Sequence, residues 1–106
     1  MIRSTAHILL HFIVPAAVAK RWFRGDWQRS FAIMIATMVV DLDHLLADPI
    51  YAPNRCSVSF HPLHTWGPIA IYASLCFHPK TRLVGLGLMI HMLLDGIDCI
   101  WMGLAL

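Results

Sequence analysis

Long apolar runs separated by short polar segments dominate the chain, at residues 4–19, 30–47, 66–77 and 83–106. A helix that crosses a bilayer needs about 17–25 mainly apolar residues. The third run reaches that length if its helix begins at Pro62, because proline suits the first position of a helix. The pattern predicts a single domain, residues 1–106, folded as an all-α, integral membrane four-helix bundle. Its helices are expected at 4–20, 30–48, 62–78 and 82–105.

The composition excludes two other classes of protein. Hydrophobic residues make up 58% of the chain, charged residues only 13%, and the mean hydropathy is +0.66. A soluble domain has about 25% charged residues, and one of this size cannot bury so much apolar surface. The net charge of +2 is too small for a nucleic-acid-binding surface. We therefore expect membrane lipid, and no nucleic acid, as a partner.

The basic residues predict the orientation in the membrane. Six of them lie in the loops after the first and third helices, whereas only Arg3 and Arg55 lie on the opposite side. Loops rich in Lys and Arg stay in the cytoplasm. Both termini are therefore predicted outside, with the protein in the bacterial inner membrane.

Histidine and aspartate are the polar residues that recur within and beside the predicted helices. All six acids are Asp. In the predicted topology most His and Asp residues lie in the outer, periplasmic half of the membrane. Several share one helix face through spacings of three or four residues: His7 with His11, Asp41 with His44, and His91 with Asp95 and Asp98. Ionisable groups inside a membrane face the bundle interior and pair with a partner.

That partner is predicted to be a metal ion, because no Lys or Arg lies in these stripes. Imidazole and carboxylate groups together bind zinc, iron or manganese. We expect one or two divalent ions, zinc first among the three metals. The expected ligands are His7, His11, Asp41, Asp43, His44, His61, His64, His91 and Asp95. Asp43 or Asp98 could act as the catalytic general base. The alternative is a proton relay or a network of hydrogen bonds between helices.

The three cysteines, Cys56, Cys76 and Cys99, are too few for a disulfide framework. In the predicted topology Cys56 and Cys99 both lie at the outer face. A bridge between them is a hypothesis that an oxidising periplasm would allow.

The motifs resemble those of a bacterial inner-membrane metal-dependent hydrolase superfamily, which includes a LexA-regulated group. The resemblance rests on Asp-Leu-Asp-His at 41–44, His-Pro-Leu-His-Thr at 61–65 and His-Met-Leu-Leu-Asp at 91–95. It implies metal binding at Asp41, Asp43, His44, His91 and Asp95, with His7 matching an N-terminal histidine. The middle motif departs from the superfamily pattern, because its two histidines are three residues apart and no arginine accompanies them.

A second resemblance covers essentially the whole chain. The Asp-Leu-Asp-His-Leu-Leu-Ala-Asp-Pro run at 41–49 and the Asn-Arg-Cys-Ser turn at 54–57 are similar to those of small bacterial membrane proteins of unknown function. This resemblance implies the membrane location and no activity.

Three functions fit the sequence. The first is a membrane-embedded metal-dependent hydrolase that acts on a phosphoester or lipid-like substrate at the outer leaflet. The second is a transport protein for a divalent metal or for protons. The third is a structural or regulatory membrane protein that a metal stabilises. A homo-oligomer is compatible with each, and the sequence leaves open whether the protein is an enzyme.

Overall fold

A computed structural model describes residues 2–47 and 55–103, and within these ranges the chain is helical without any β-strand. The four α-helices are α1 (Ile2–Trp22), α2 (Trp27–Ala36), α3 (Trp66–Leu75) and α4 (Arg82–Trp101). Three 3-10 helices accompany them, at Arg24–Asp26, Thr37–Leu46 and Pro62–His64. The all-α prediction is confirmed. The predicted helix ends at 48 and 105 lie outside the described residues.

Two of the helices, α1 and α4, are long and apolar enough to cross a membrane. They contain 21 and 20 residues, with mean hydropathies of 1.4 and 1.8 in their most apolar windows. These are the first and fourth of the four predicted spans.

The third predicted span, 62–78, is shorter than expected. Thr65 has an extended backbone (φ −83°, ψ 165°) and separates the turn Pro62–His64 from α3, which has ten residues. A helix of ten residues is about 15 Å long, half the thickness of a hydrocarbon core. The chain leaves α3 in a turn that contains Pro79, which disfavours helical geometry at His78. Thr81 stabilises this turn because its hydroxyl donates to the Leu75 carbonyl at 2.7 Å.

The second predicted helix begins as α2 and continues as a 3-10 helix of ten residues, Thr37–Leu46. A 3-10 helix has three residues per turn, so every third side chain lies in the same row. Thr37, Val40 and Asp43 form a buried row. Val39, Leu42 and Leu45 form an exposed apolar row, with 63%, 59% and 62% exposure. Asp41 and His44 belong to the third, half-buried row.

The central helix is α4, which packs against α1, α2 and α3 and against the 3-10 helix Thr37–Leu46. Gly87 permits the approach to α2: a Cβ atom there would lie 2.9 Å from Met34 Cα and 2.6 Å from Thr37 Oγ1. Gly85 allows a similar approach to the end of α3, near Leu75 and Cys76. These contacts bring α4 close enough to its neighbours for their side chains to meet.

The bundle has polar groups inside and large apolar groups outside. The buried polar residues are His11, Ser30, Thr37, Asp43, His61, His64, His91 and Asp95. On α1, Ile8 and Ile13 are more than half exposed, as are Leu93 and Ile100 on α4. A small apolar core contains Val40, Tyr72, Leu88 and Met92. The buried polar residues are mostly the ones that the sequence marked as candidate ligands.

Candidate metal centre

Four donor atoms from three segments of the chain converge in the bundle interior. Asp41 comes from the 3-10 helix Thr37–Leu46, His64 from the turn before α3, and His91 and Asp95 from successive turns of α4. We call these four residues the four-donor cluster. Side-chain exposure is 0%, 2% and 5% for His64, His91 and Asp95, but 39% for Asp41. The cluster therefore reaches the protein surface at Asp41.

The distances between these donor atoms are short and similar. His64 Nε2 lies 3.3 Å from His91 Nε2, 3.2 Å from Asp41 Oδ1 and 3.0 Å from Asp95 Oδ2. His91 Nε2 lies 2.9 Å from Asp41 Oδ1 and 3.2 Å from Asp95 Oδ2. The donors thus surround a common point at which a single metal ion could be held.

The negative charge of the two carboxylates in this cluster is not fully balanced by hydrogen bonds. Asp95 Oδ2 is buried and makes no hydrogen bond of acceptable geometry within the described residues, despite its two histidine neighbours. The two nitrogens nearest to this oxygen are His64 Nε2 at 3.0 Å and His91 Nε2 at 3.2 Å. A cation among the carboxylates is therefore favoured, whether a proton on His64 or a metal ion.

Asp43 holds His64 from behind the cluster. Its Oδ2 accepts hydrogen bonds from His64 Nδ1 at 2.9 Å and from the Leu63 backbone N–H at 2.8 Å. Since Nδ1 donates its proton to Asp43, His64 Nε2 can present a lone pair to the cluster. The other oxygen of Asp43 lies 3.0 Å from His44 Nδ1. A carboxylate that orients a ligating histidine in this way is common at metal sites.

A second group of donors lies on the α1 side of Asp95. His7 Nε2 and His11 Nε2 lie 3.0 Å and 3.3 Å from Asp95 Oδ1. The two histidines are one helical turn apart, and their rings make an edge-to-face contact. We call His7, His11 and Asp95 the three-donor cluster, which could also hold an ion.

Eight of the nine predicted ligands belong to groups of atoms that could hold a metal, and the exception is His61. The eight are His7, His11, Asp41, Asp43, His44, His64, His91 and Asp95. His61 instead stacks on His44, with ring centroids 3.7 Å apart. Burial and the neighbouring His44 lower the pKa of His61 to about 4, so its ring stays neutral near pH 7.

Asp98, the other predicted general base, is paired with Arg3. Both oxygens of Asp98 accept hydrogen bonds at 2.7 Å from Arg3 Nη1. Asp98 belongs to none of the three groups of converging donors found in the described part of the chain. The catalytic roles predicted for Asp43 and Asp98 stay predictions.

Two contacts fix the segment that carries His64. A disulfide joins Cys56 to Cys99, with the Cα atoms 5.0 Å apart, and thus ties this segment to α4 one turn beyond Asp95. The sequence left this bridge as a hypothesis, which the structure confirms. Tyr72 donates a hydrogen bond from its hydroxyl to the Leu63 carbonyl at 2.9 Å. Sequence reasoning missed Tyr72, although its hydroxyl in a mainly apolar helix signals a polar partner.

Comparison with known protein families gives a match over nearly the whole chain. The family of unknown function DUF6122 matches residues 1–102. The chain belongs to this family. No curated protein and no solved structure shows significant similarity to it.

Membership in DUF6122 agrees with the resemblance to small proteins of unknown function. It does not connect the chain to the metal-dependent hydrolase superfamily. Any function for this DUF6122 chain must therefore be argued from the donor clusters themselves.

Proposed function

We propose that this chain is a membrane-embedded, divalent-metal-dependent hydrolase whose metal is held by Asp41, His64, His91 and Asp95. The single observation that carries the proposal is the convergence of these four donor atoms in the interior of a bundle with an apolar exterior. Inside a bilayer such polar groups are costly and require a partner. A divalent ion supplies that partner for all four donors at once.

Zinc is the ion that the spacing favours. Four ligands at about 2.0–2.1 Å in a tetrahedron around zinc lie about 3.3–3.4 Å from one another. The five donor distances given above range from 2.9 to 3.3 Å, close to that spacing. Two imidazole nitrogens and two carboxylate oxygens are also a donor set that zinc accepts. Iron and manganese share these ligands and stay alternatives.

Hydrolysis is the chemistry that fits an accessible site of this kind. A bound divalent ion would act as a Lewis acid and make water a better nucleophile near neutral pH. The half-exposed Asp41 is the side from which water and substrate could approach, because His64, His91 and Asp95 are buried. Asp43 would hold the His64 ring in the orientation that directs Nε2 at the metal. The surrounding helices would exclude water from every side of the site except the one at Asp41.

A lipid-like substrate is suggested by an apolar groove beside α4. The groove has a volume of about 210 Å³, and its lining includes Val58, Trp66, Ile69, Met92, Gly96 and Ile97. Met92 and Gly96 directly follow the cluster residues His91 and Asp95 in α4. A substrate with an acyl chain in this groove could place its polar end near the donors.

The disulfide supports a periplasmic location for the site. Disulfides persist in oxidising compartments such as the periplasm and are rare in the cytosol. Cys56 belongs to the same segment as His64 and is bonded to Cys99 in α4. This agrees with the orientation expected from the basic residues, in which the site faces outward from the inner membrane.

The proposal is tested by metal content and activity together. Elemental analysis of the detergent-purified protein should give near-stoichiometric zinc, iron or manganese, and Asp41→Ala/His91→Ala should lose it. The His78→Ala variant, altered in the turn between α3 and α4, is the matched control and should keep its metal. Phosphodiester and phospholipid substrates in mixed micelles should then be cleaved by the metal-loaded protein and not by the metal-free protein. Absence of metal after loading would reject the proposal.

A structural metal is the second candidate, because four protein donors can fill a tetrahedral site completely. Closed sites of four protein ligands are typical of structural zinc, whereas catalytic zinc keeps one position open. Metal-loaded protein that is more stable than the metal-free form, but inactive on every substrate, would favour this candidate.

A further inference from the structure

The two oxygens of Asp95 face different sets of histidines. Oδ2 faces His64 and His91 within the four-donor cluster, at 3.0 Å and 3.2 Å. Oδ1 faces the α1 residues His7 and His11, at 3.0 Å and 3.3 Å. The proposed function uses Oδ2 and leaves the histidines around Oδ1 without a role.

The hydrogen bond of His11 Nδ1 determines whether His11 Nε2 carries a proton or a lone pair. His11 Nδ1 lies 2.8 Å from the His7 backbone carbonyl oxygen. A carbonyl oxygen can only accept, so Nδ1 must carry a proton and donate it. In the neutral ring Nε2 therefore has a lone pair directed toward Asp95 Oδ1. Two lone pairs 3.3 Å apart repel each other unless a cation lies between them.

We propose that His7, His11 and Asp95 bind a second divalent ion, and that Asp95 bridges this ion to the one in the four-donor cluster. This inference rests on the proposed function. A bridge is suggested because Asp95 Oδ1 lies near His7 and His11 while Oδ2 lies near His64 and His91. The ring centroids of His11 and His91 are 4.6 Å apart, so the two clusters are immediate neighbours. Metal ions in paired hydrolytic sites lie about 3.5–4 Å apart.

The second ion would have an open coordination position. The three-donor cluster supplies three protein ligands, which leaves one position of a tetrahedron open. His7 is the most accessible of the three, with 24% of its side chain exposed, against 5% for His11 and 5% for Asp95. In the proposed centre the three-ligand ion would supply an open coordination position beside the ion of the four-donor cluster, so that both ions could act on one substrate.

The competing explanation is a ladder of ion pairs between α1 and α4. Arg3 and Asp98 form the first rung, four residues before His7 and three after Asp95. In this explanation His7 and His11 would carry protons, form further ion pairs with Asp95 and bind no metal. This explanation predicts one ion per chain, whereas the bridged centre predicts two.

The experiment measures the number of metal ions per chain in the detergent-purified protein, after loading with Zn²⁺ or Co²⁺ and removal of excess ion. Wild type should hold two ions per chain, and His7→Gln/His11→Gln should hold one. His78→Gln is the matched control and should hold two. X-ray absorption of the wild type should show metal–metal scattering that the double variant lacks, while the Co²⁺ absorption bands of the remaining ion persist. The helical circular dichroism signal shows that the double variant is folded. The single variant His7→Ala keeps His11 and changes the three-donor cluster less than the double variant does.

The outcomes separate the two proposals. One ion in wild type, with no change in the double variant, overturns the second site and leaves the four-donor site standing. Two ions in both proteins also overturn it, because the second ion would then lie elsewhere. No ion in wild type overturns this inference and the proposed function together.

Discussion

Asp43 and His64 are joined by a hydrogen bond of 2.9 Å between a carboxylate oxygen and Nδ1, in a fully buried pair. This bond decides which nitrogen of His64 faces Asp41, His91 and Asp95. In the proposed centre Asp43 would therefore have a different role from these donors, although it lies only two residues from Asp41. It would position the histidine, and the negative charge of its carboxylate would make the imidazole a better ligand.

Replacing Asp43 by Asn should weaken metal binding without unfolding the protein. The amide has the shape of the carboxylate and can still accept hydrogen bonds, but it lacks the negative charge. We expect metal affinity to fall about 10–100-fold, measured by competition with a chromophoric chelator. Asp26→Asn, on an exposed carboxylate, is the control and should leave the affinity unchanged. An Asp43→Asn protein with wild-type affinity would show that Asp43 does not act through His64.

Helical spacing explains why the sequence could predict the cluster. His91 and Asp95 are four residues apart, as are His7 and His11, so each pair shares a helix face whatever the details of packing. Asp41 and His44 share a row in either an α-helix or a 3-10 helix, because both geometries bring residues three apart together. The prediction that these donors share a face therefore holds, although residues 37–46 form a 3-10 helix and not an α-helix.

The division of roles could not be predicted in the same way. Whether a carboxylate faces a metal or the back of a histidine depends on differences of about an ångström, which spacing does not encode. The short α3 depends on the extended backbone at Thr65, and an apolar run gives no signal for such a break. The pairing of Asp98 with Arg3 joins residues 95 positions apart and lay outside the reach of local patterns.

Removal of the metal should destabilise the bundle. An ion that binds only the folded state adds about 4 kcal/mol when its free concentration is a thousand times its Kd. We expect EDTA to lower the Tm of the purified protein and added Zn²⁺ to restore it. The Asp41→Ala/His91→Ala variant should have a low Tm that neither reagent changes. A wild-type Tm that stays constant while elemental analysis shows metal loss would contradict a stabilising ion.

The close approach of α4 to α2 makes Gly87 sensitive to the smallest substitution. A Cβ at Gly87 would lie 2.9 Å from Met34 Cα and 3.0 Å from its carbonyl oxygen, and a backbone cannot move aside as a side chain can. Gly87→Ala should cost about 1–3 kcal/mol, typical of overpacking. Since His91 lies one turn further along α4, metal affinity should fall as well.

Gly25 provides the matched control for that substitution, because a Cβ there would meet no atom within 4 Å. Gly25→Ala should leave both stability and metal affinity near wild type. Both variants can be measured by thermal unfolding in detergent, followed by circular dichroism. Equal stabilities for the two alanine variants would mean that α2 and α4 do not pack as closely as the structure has them.

The Cys56–Cys99 disulfide should support metal binding through the segment that carries His64. Without the bridge this segment gains conformational freedom that must be lost again when His64 binds the ion. We expect Cys56→Ser/Cys99→Ser to bind metal more weakly and to unfold at a lower temperature. Cys76→Ser removes the free cysteine and should change neither property. If the double serine variant binds metal as tightly as wild type, the hydrogen bonds of Asp43 and Tyr72 suffice to hold the segment.

The apolar groove beside α4 gives the proposed lipid-like substrate a specific test. Ile97 lines the groove and is 52% exposed, so a tryptophan at this position would occupy part of the space that an acyl chain needs. Ile97→Trp should reduce hydrolysis of long-chain phospholipids several-fold and leave short-chain, water-soluble esters and the metal content unaffected. Leu9→Trp, a similarly exposed position on α1 at 53%, should act like wild type. An equal loss of hydrolysis for long-chain and short-chain substrates would mean that the acyl chain does not bind in this groove.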